Sequence, residues 1–318
     1  MSLQFFPDGR LKHFLSLEDV PATALETLLN DAQQLRENAM GGTQLRHHLQ
    51  GKTVCNLFFE NSTRTRSSFL LAAQRLGADV FTFDASTSSG KKGETDIDTL
   101  KNLEAMGVHA FVIRHSENGA VEKLAAAAND GTSVINAGDG RNQHPTQGLL
   151  DMLSIRQIKG NDFSKLKILI AGDIKYSRVA RSDLNALRTL NAGEIRVCAP
   201  ASLLPTDGTL DACIHYENFD QAIKDVDVVM MLRLQRERME EGLVASLDGY
   251  FQEYGLTQKR LTLAKHDAIV MHPGPMNRGV EIASSVADDP DRSTIAEQVE
   301  MGVAVRMACL DVLTRGRR

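Results

Sequence analysis

Short apolar runs alternate with amphipathic segments along most of the chain. Four runs in the first half have the length and the β-branched or aromatic content of buried strands, at residues 53–59, 79–83, 110–114 and 133–136. Apolar residues recur at helical spacing in the segments around them, at residues 21–39, 66–76 and 120–128. Because strands that alternate with helices form parallel sheets covered on both faces, this half predicts an α/β domain.

The second half of the chain repeats the alternation. It predicts strands and helices at residues 167–173, 178–190, 194–198, 226–232, 268–271 and 295–313. Two successive sets predict two doubly wound parallel-sheet domains with a cleft between them, at residues 1–147 and 148–294. We expect the hinge at residues 145–152. Ligands then belong at the carboxyl ends of strands, where the strand order reverses.

Length and composition exclude several classes of partner. The 318 residues, 42% of them hydrophobic and 24% charged, exceed the size of one ordinary core. The formal charge of −5 provides no basic surface for nucleic acid or for an anionic membrane. The first residues show no targeting segment, and no apolar run is long enough to span a bilayer. We therefore expect a cytoplasmic protein whose anion site, if any, is local.

The cysteine and glycine patterns predict neither a metal nor a cofactor. The four cysteines lie far apart and form no CxxC pair: Cys55, Cys198, Cys213 and Cys309. We expect buried free thiols in a reducing compartment, rather than a zinc site or disulfides. The segment Ala171-Gly172-Asp173 lacks the GxGxxG spacing, which argues against a nicotinamide cofactor.

A group of five residues that follows the first predicted strand carries three hydroxyls and two guanidiniums. They are Ser62, Thr63, Arg64, Thr65 and Arg66, and helical composition continues after them. At such a strand-to-helix turn, unpaired backbone N–H groups and the positive end of the helix dipole face an anion, and an arginine can grip two phosphate oxygens. Ser-Thr before a helix is more often a plain cap. Five donors in a row nevertheless predict a phosphate site.

Four segments together resemble motifs of the aspartate and ornithine carbamoyltransferase family, in the family's order. Residues 62–66 resemble its carbamoyl phosphate signature, and His144-Pro145-Thr146-Gln147 resembles its second motif. Residues 233–239 and 272–279 resemble the aspartate-binding loop and the carbonyl-presenting loop of the aspartate enzymes. The His-Cys-Leu-Pro and Asp-x-x-x-Ser-Met-Gly segments of the ornithine enzymes do not occur.

This resemblance implies a fold and a reaction. The last helix is expected to return to the first domain, so that residues 295–318 belong with residues 1–147. The implied reaction transfers the carbamoyl group of carbamoyl phosphate to the α-amine of L-aspartate, in de novo pyrimidine biosynthesis. Residues 86–94, a solvated turn on composition alone, resemble a loop that the aspartate enzymes send into a neighbour's active site. A homotrimer with shared sites is therefore implied.

The resemblance also implies roles for individual residues. Carbamoyl phosphate is expected to contact Ser62, Thr63, Arg64, Thr65, Arg114, His144, Gln147, Pro273 and Gly274, with Ser88 and Lys92 from the adjacent subunit. The expected catalytic residues hold the phosphate or face the oxyanion of the tetrahedral intermediate: Arg64, Thr65, Arg114 and His144. Alone, an arginine at a strand end or a single histidine is more often structural. Gln147 is suited to hydrogen-bonding the carbamoyl nitrogen.

The second substrate has two carboxylates, so its pocket should be cationic. The residues expected to bind aspartate are Lys92, Arg178, Arg233, Gln235 and Gly274. Pro273 and Gly274 would act through backbone carbonyls, so the glycine that replaces the family's usual leucine leaves that role intact. The charge run at residues 236–238 is assigned to interdomain or solvent contacts. No general base stands out, and the departing phosphate is a sufficient proton acceptor.

Two alternatives to this function stay open. A carbamoyltransferase for another amino acid would be distinguished by the loops at residues 233–235 and 272–279. A non-catalytic anion-binding subunit of a pyrimidine-pathway complex would not need every polar residue of the motifs, yet all are present. A regulatory or dihydroorotase-like chain remains a candidate partner.

Overall fold

The chain divides into two compact units. The computed structural model describes residues 2–84, 93–235 and 246–315. Unit 1 comprises Met1–Leu153 and Glu300–Arg318, and unit 2 comprises Ser154–Val299. Each unit contains one parallel sheet with helices, which confirms the predicted α/β fold. The domain boundaries drawn from the sequence, after residues 147 and 294, remain predictions.

Unit 1 is built on a four-stranded parallel sheet. Its elements follow one another as α1 (Ala22–Met40), β1 (Thr53–Phe58), α2 (Thr63–Leu76), β2 (Asp79–Asp84), α3 (Asp96–Ala105), β3 (Ala110–His115), α4 (Ala120–Ala127), β4 (Ser133–Asp139) and the first part of α5 (Pro145–Lys159). The strand order is β2-β1-β3-β4, so the order in which strands are added reverses between β1 and β3, although all four strands run parallel. A buried apolar layer that includes Leu57, Leu100 and Leu124 joins the sheet to α3 and α4.

Unit 2 is built on a five-stranded parallel sheet. Its elements are β5 (Lys167–Gly172), α6 (Arg178–Thr189), β6 (Glu194–Cys198), β7 (Ile214–Tyr216), α7 (Phe219–Ala222), β8 (Val228–Leu232), α8 (Leu247–Tyr254), α9 (Gln258–Leu261), β9 (Ile269–Met271), α10 (Ser284–Ala287) and the start of α11 (Ile295–Thr314). The strand order is β7-β6-β5-β8-β9, so the order in which strands are added reverses between β5 and β8, which run parallel. Leu169, Val229 and Phe219 belong to its buried core.

The predicted strands agree with the structure, with shifts at their ends. β4 continues to Asp139, three residues beyond its predicted end, because Asp139 pairs with His115 past a register shift in β3. β8 begins at Val228 rather than at residue 226, because the chain turns at Asp225, whose φ is 57°. The edge strand β7 was not predicted. Its three residues lack a buried face, and Ile214 is 47% exposed.

The last helix, α11, packs against unit 1 as the family resemblance implied. The Ser133 hydroxyl donates to the Leu313 carbonyl at 2.8 Å, within the buried interior of unit 1. The carboxylate of Asp311 lies 3.0 Å from His48 Nδ1, and Glu300 forms an ion pair with Arg36 at 2.9 Å. The C-terminal segment therefore completes the domain that the N-terminal segment begins.

All four cysteines are free thiols. Burial raises the pKa of Cys55, Cys198 and Cys309 to about 12. Cys213 differs from the expectation, because it is only partly buried. Among the residues that the structure describes, no helix is both long enough and apolar enough to cross a membrane.

Candidate active site

The sheet of unit 1 places its residues predicted to bind carbamoyl phosphate at the carboxyl ends of its strands. Ser62–Thr65 follow β1, Arg114 lies near the end of β3, and His144 and Gln147 follow β4. These three strands are neighbours, and Phe58 and Arg114 are partners in the register between β1 and β3. The set, called here the unit-1 site, therefore flanks the place where the strand order reverses. Ligands of doubly wound sheets bind at such a place.

The first turn of α2 is open to an anion. Ser62 is the N-cap residue, yet within the described residues its hydroxyl makes no capping hydrogen bond to the helix. No acidic side chain lies in the first turn, where Thr63 and Arg64 are exposed and Thr65 is buried. The backbone N–H groups and the helix dipole are therefore not neutralised locally. This geometry favours the phosphate site over the plain cap.

Arg114 is held at the carboxyl edge of the sheet. Its Nη1 donates to the Ala137 carbonyl in β4 at 3.1 Å, and its Nε lies 3.2 Å from Oε2 of Glu60. The side chain is only 11% exposed. It is therefore an oriented guanidinium rather than a solvated surface residue, the other interpretation of its position. The Glu60 carboxylate and the Ala137 carbonyl together fix the plane of the Arg114 guanidinium.

His144 and Gln147 occupy the start of α5. The chain leaves β4 through a tight turn, in which Asp139 N–H donates to Gln143 O at 3.0 Å. The His144 carbonyl then accepts hydrogen bonds from the N–H groups of Gln147 and Gly148, at 2.9 and 3.2 Å. Both His144 and Gln147 are buried. The turn and the first residues of α5 therefore fix the short stretch of backbone that carries both side chains.

Two buried charged residues, Asp151 and Arg306, lie in the interior of unit 1, and Asp151 contacts this site through Gln147. Gln147 donates to the buried carboxylate of Asp151, one turn along α5. Arg306 on α11 is 4% exposed. Burial lowers the pKa of its guanidinium to about 10.

The sheet of unit 2 gathers a second set of predicted residues, called here the unit-2 site. Arg178 follows β5, Arg233 and Gln235 follow β8, and Pro273 and Gly274 follow β9. These strands are also neighbours, and the strand order reverses between β5 and β8. The aspartate-binding candidates therefore flank the switch point of this sheet, where the sequence placed them.

Asp173 ties together the two loops that carry these candidates. Its Oδ1 accepts from Tyr176 N at 3.1 Å, and its Oδ2 accepts from Gln235 N at 3.0 Å. The preceding Gly172 has a φ of 119°, and a Cβ there would lie 2.4 Å from the Leu232 carbonyl oxygen. Only glycine permits this close approach of β5 and β8. The buried carboxylate then fixes both strand ends.

Two guanidiniums stand at these strand ends. Arg178 is the first residue of α6 and is buried, and the Ser177 hydroxyl caps the helix by accepting from Ala180 N at 3.2 Å. Arg233 Nη2 donates to Oε1 of Gln235 at 3.3 Å. The structure therefore pairs Arg233 and Gln235 directly, and it places Arg178 on the adjacent loop. Such a set suits a ligand with carboxylates.

The loop after β9 is organised around the buried carboxylate of Glu281. His272 Nδ1 accepts from Gly274 N at 2.8 Å, so the ring proton is on Nε2, which lies 3.1 Å from Oε1 of Glu281. The same oxygen accepts from Asn277 N at 2.5 Å. Both side chains of the His272–Glu281 pair are fully buried. Together they fix the backbone of Gly274, whose carbonyl is a predicted contact.

Several predicted residues lie outside the described ranges. Ser88 and Lys92 fall between residues 84 and 93, and the charge run Arg236, Glu237 and Arg238 follows residue 235. Their predicted contacts stay predictions.

Four buried charged residues that organise the sites were not predicted. They are Asp151, Asp173, Glu281 and Arg306. A signal existed for Asp151, because a glutamine and an aspartate four residues apart meet on one helix face. Asp173 follows a glycine at a strand end, a position that the sequence analysis used only to exclude a nicotinamide cofactor. Arg306 has no local signal, since its contact with Phe69 joins two distant helices. The partners of Glu281, His272 and Asn277, lie nine and four residues before it, but the sequence analysis treated that loop only as a family motif.

Comparison with known proteins gives matches over nearly the whole chain. The family model described as aspartate/ornithine carbamoyltransferase, carbamoyl-P binding domain, matches residues 12–157, and the Asp/Orn binding domain model matches residues 164–313. An aspartate carbamoyltransferase catalytic subunit from Xanthomonas oryzae pv. oryzae is 65% identical over 98% of this chain and 99% of its own length. A protein of the same name from Stenotrophomonas maltophilia is 62% identical, over 98% of each chain.

Solved structures agree with these matches. Aspartate transcarbamoylase from Trypanosoma cruzi, in complex with carbamoyl phosphate and aspartate, has a TM-score of 0.85 and 31% identity, over 98% of this chain and 99% of its own. The same enzyme in complex with N-(phosphonacetyl)-L-aspartic acid has a TM-score of 0.84 and 30% identity, over 98% of each chain.

Proposed function

The chain belongs to the aspartate/ornithine carbamoyltransferase family, and on this premise we propose that it transfers the carbamoyl group of carbamoyl phosphate to the α-amine of L-aspartate. The products are N-carbamoyl-L-aspartate and phosphate, and the reaction belongs to de novo pyrimidine biosynthesis. One observation carries the proposal: anion-binding donors stand at the switch points of both sheets, in a chain 65% identical to a protein of that name. The two sites suit one phosphorylated substrate and one dicarboxylate.

The unit-1 site supplies the groups that carbamoyl transfer needs. The amine nitrogen attacks the carbamoyl carbon, the carbonyl oxygen gains charge, and the bond to the phosphate oxygen then breaks. In the proposal, the start of α2 with Arg64 holds the phosphate, and Thr65, Arg114 and His144 face the oxyanion. The departing phosphate takes the proton that the amine loses, so no side chain is assigned as general base.

In the proposal, the unit-2 site binds L-aspartate. Arg178 and Arg233 neutralise its carboxylates, and Gln235, which already contacts Arg233, adds a hydrogen bond. The backbone carbonyls of Pro273 and Gly274 accept from the carbamoyl amide and from the α-amine. Holding that amine at reacting distance converts a bimolecular step into an effectively unimolecular one.

The assembly and the compartment extend the proposal. Ser88 and Lys92 would enter the active site of an adjacent subunit in a homotrimer, as the resemblance of their loop implies. The four free thiols fit a reducing compartment, and we place the enzyme in the cytoplasm. A regulatory or dihydroorotase-like chain is a candidate further partner.

Substrate selectivity tests the proposed function against the alternative of another amino acid as acceptor. We expect the purified protein to carbamoylate L-aspartate and to leave L-ornithine unreacted, because Arg178 and Arg233 repel a cationic side chain. Product formation with each amino acid, at equal concentration and with fresh carbamoyl phosphate, is the measurement. Ornithine turnover at a comparable rate would overturn the assignment.

A further inference from the structure

The side chain of Gln147 is held in one orientation. Its Nε2 lies 3.1 Å from Oδ1 and 3.2 Å from Oδ2 of Asp151. A carboxylate accepts hydrogen bonds and cannot donate them, so the amide group must present its NH2 end to Asp151. The chemistry of the partner therefore settles which end of the Gln147 amide is nitrogen. The amide oxygen is the end that faces away from Asp151.

Asp151 is in turn held by the interior of unit 1. Its side chain is fully buried, as is nearly all of Arg306 on α11. The Arg306 guanidinium lies over the Phe69 ring at 5.1 Å. A Cβ added at Gly302 would lie 2.4 Å from Nη1 of Arg306. The missing side chain at Gly302 thus leaves room for the guanidinium against its own helix. Asp151 and Arg306 are therefore both buried charged residues of unit 1.

The orientation of Gln147 decides what it can recognise. An amide that faces a ligand with its oxygen accepts a hydrogen bond from an NH2 group, and it gains nothing from a methyl group. A site built to accept from a substrate N–H discriminates against an analogue that lacks it, because the acceptor is then left unpaired. A carbamoyl ligand and an acetyl ligand carry the same phosphate group, so the phosphate contributes nothing to the discrimination between them.

We propose that Asp151 is a positioning residue that directs the Gln147 amide oxygen toward the ligand and so makes the unit-1 site select a carbamoyl over an acetyl group. This inference rests on the proposed function, since it assumes that the phosphorylated ligand binds beside Gln147. Asp151 itself does not contact the substrate. Its action passes entirely through the amide of Gln147.

A matched pair of stable ligands tests the proposal. Phosphonoacetamide and acetonylphosphonate share the phosphonate and the carbonyl, and they differ only in an NH2 against a methyl group. Calorimetry on the full chain gives the ratio of their dissociation constants, called here the selectivity. We expect Asp151→Asn to lower the selectivity at least twofold, because only about half of the Gln147 amides then present their oxygen to the ligand. Because asparagine presents both an oxygen and an NH2 group, it no longer forces one orientation on Gln147.

Two companion measurements separate positioning from general damage. Affinity for orthophosphate should stay within about twofold of wild type in Asp151→Asn, because phosphate does not contact Gln147. Gln147→Ala should lower the selectivity at least as much as Asp151→Asn does. In the Gln147→Ala background, Asp151→Asn should then have no further effect, as expected for residues that act as one unit. A further loss there contradicts action through Gln147.

The wild-type protein provides a second test, which is needed if Asp151→Asn does not fold. We expect the side-chain NH2 of Gln147, followed by ¹⁵N NMR, to be protected from exchange with water both without ligand and with phosphonoacetamide. An NH2 that becomes protected only with the ligand would show that the nitrogen faces the ligand, which overturns the proposal.

The outcomes also distinguish this inference from the proposed function. A wild-type protein that binds neither phosphonate nor orthophosphate contradicts the proposed function itself. A folded Asp151→Asn variant that keeps the wild-type selectivity contradicts only the role of Asp151.

Discussion

At the scale of single residues, the account depends on which guanidinium meets which anion. Arg64 is exposed at the first turn of α2, where the helix leaves its N–H groups available. Arg178 and Arg233 stand instead at the strand ends of the other sheet. If this division is correct, single substitutions at the two sites should affect different substrates.

Replacing Arg64 should affect carbamoyl phosphate. We expect Arg64→Ala to cost on the order of 2–4 kcal/mol of transition-state stabilisation, because a charge-assisted contact to a bound anion is lost. Steady-state kinetics should show kcat/KM for carbamoyl phosphate reduced by more than about tenfold. Arg10→Ala is a matched control, since Arg10 is an exposed arginine that pairs with the exposed Asp8 and lies over the Phe6 ring. Equal effects of the two substitutions would exclude a role for Arg64 in the site.

Replacing Gln235 should affect aspartate. The loop is held through the backbone N–H of Gln235 on Asp173, so removal of the side chain leaves this hydrogen bond in place. We therefore expect Gln235→Ala to raise the KM for aspartate about tenfold and to leave the KM for carbamoyl phosphate nearly unchanged. Measuring both constants for the same variant is the check. A rise confined to carbamoyl phosphate would contradict the assignment.

At the scale of elements, buried charges fix the loops that follow the strands. Glu281 organises the loop after β9 through His272 and Asn277. Removing one partner of a buried charged network leaves the other groups unsatisfied, so we expect Glu281→Ala to lower the free energy of unfolding by about 3 kcal/mol. Urea unfolding measures it. The exposed Glu253, also in unit 2, offers the control Glu253→Ala, expected to change stability by less than about 0.5 kcal/mol.

The same elements show how far sequence reasoning reaches. Strands such as β5 and β6 were predicted within a residue, because their apolar runs are continuous. β7 was missed because an exposed edge strand has no apolar pattern. The motif residues follow neighbouring strands, as parallel sheets require. Arg306 could not be predicted, because its contact with Phe69 joins two helices that lie far apart in the sequence. Glu281 was missed although its partners His272 and Asn277 lie only nine and four residues before it.

At the scale of the whole molecule, the proposal requires that active sites be shared between subunits. Arg64→Ala and Lys92→Ala proteins should each be nearly inactive alone. When the two are denatured, mixed equally and refolded, random assembly of a closed trimer places an intact Arg64 beside a neighbour's intact Lys92 in about a quarter of the sites. We expect activity to recover toward that fraction of refolded wild type.

Two controls accompany the mixing experiment. Each variant refolded alone gives the background, and refolded wild type gives the full scale. If the mixture shows no more activity than the two backgrounds while wild type recovers fully, Lys92 acts within its own chain or not at all, and the shared-site trimer is wrong.

The central claim, carbamoyl transfer to L-aspartate, is tested most directly by following the carbamoyl carbon. The purified protein is incubated with ¹³C-labelled carbamoyl phosphate and L-aspartate in the presence of a chelator, and the products are observed by ¹³C and ³¹P NMR. We predict that the label appears in N-carbamoyl-L-aspartate, with one phosphate released for each molecule formed. Label that appears only in carbamoyl phosphate breakdown products, or phosphate released without carbamoyl aspartate, would contradict the account.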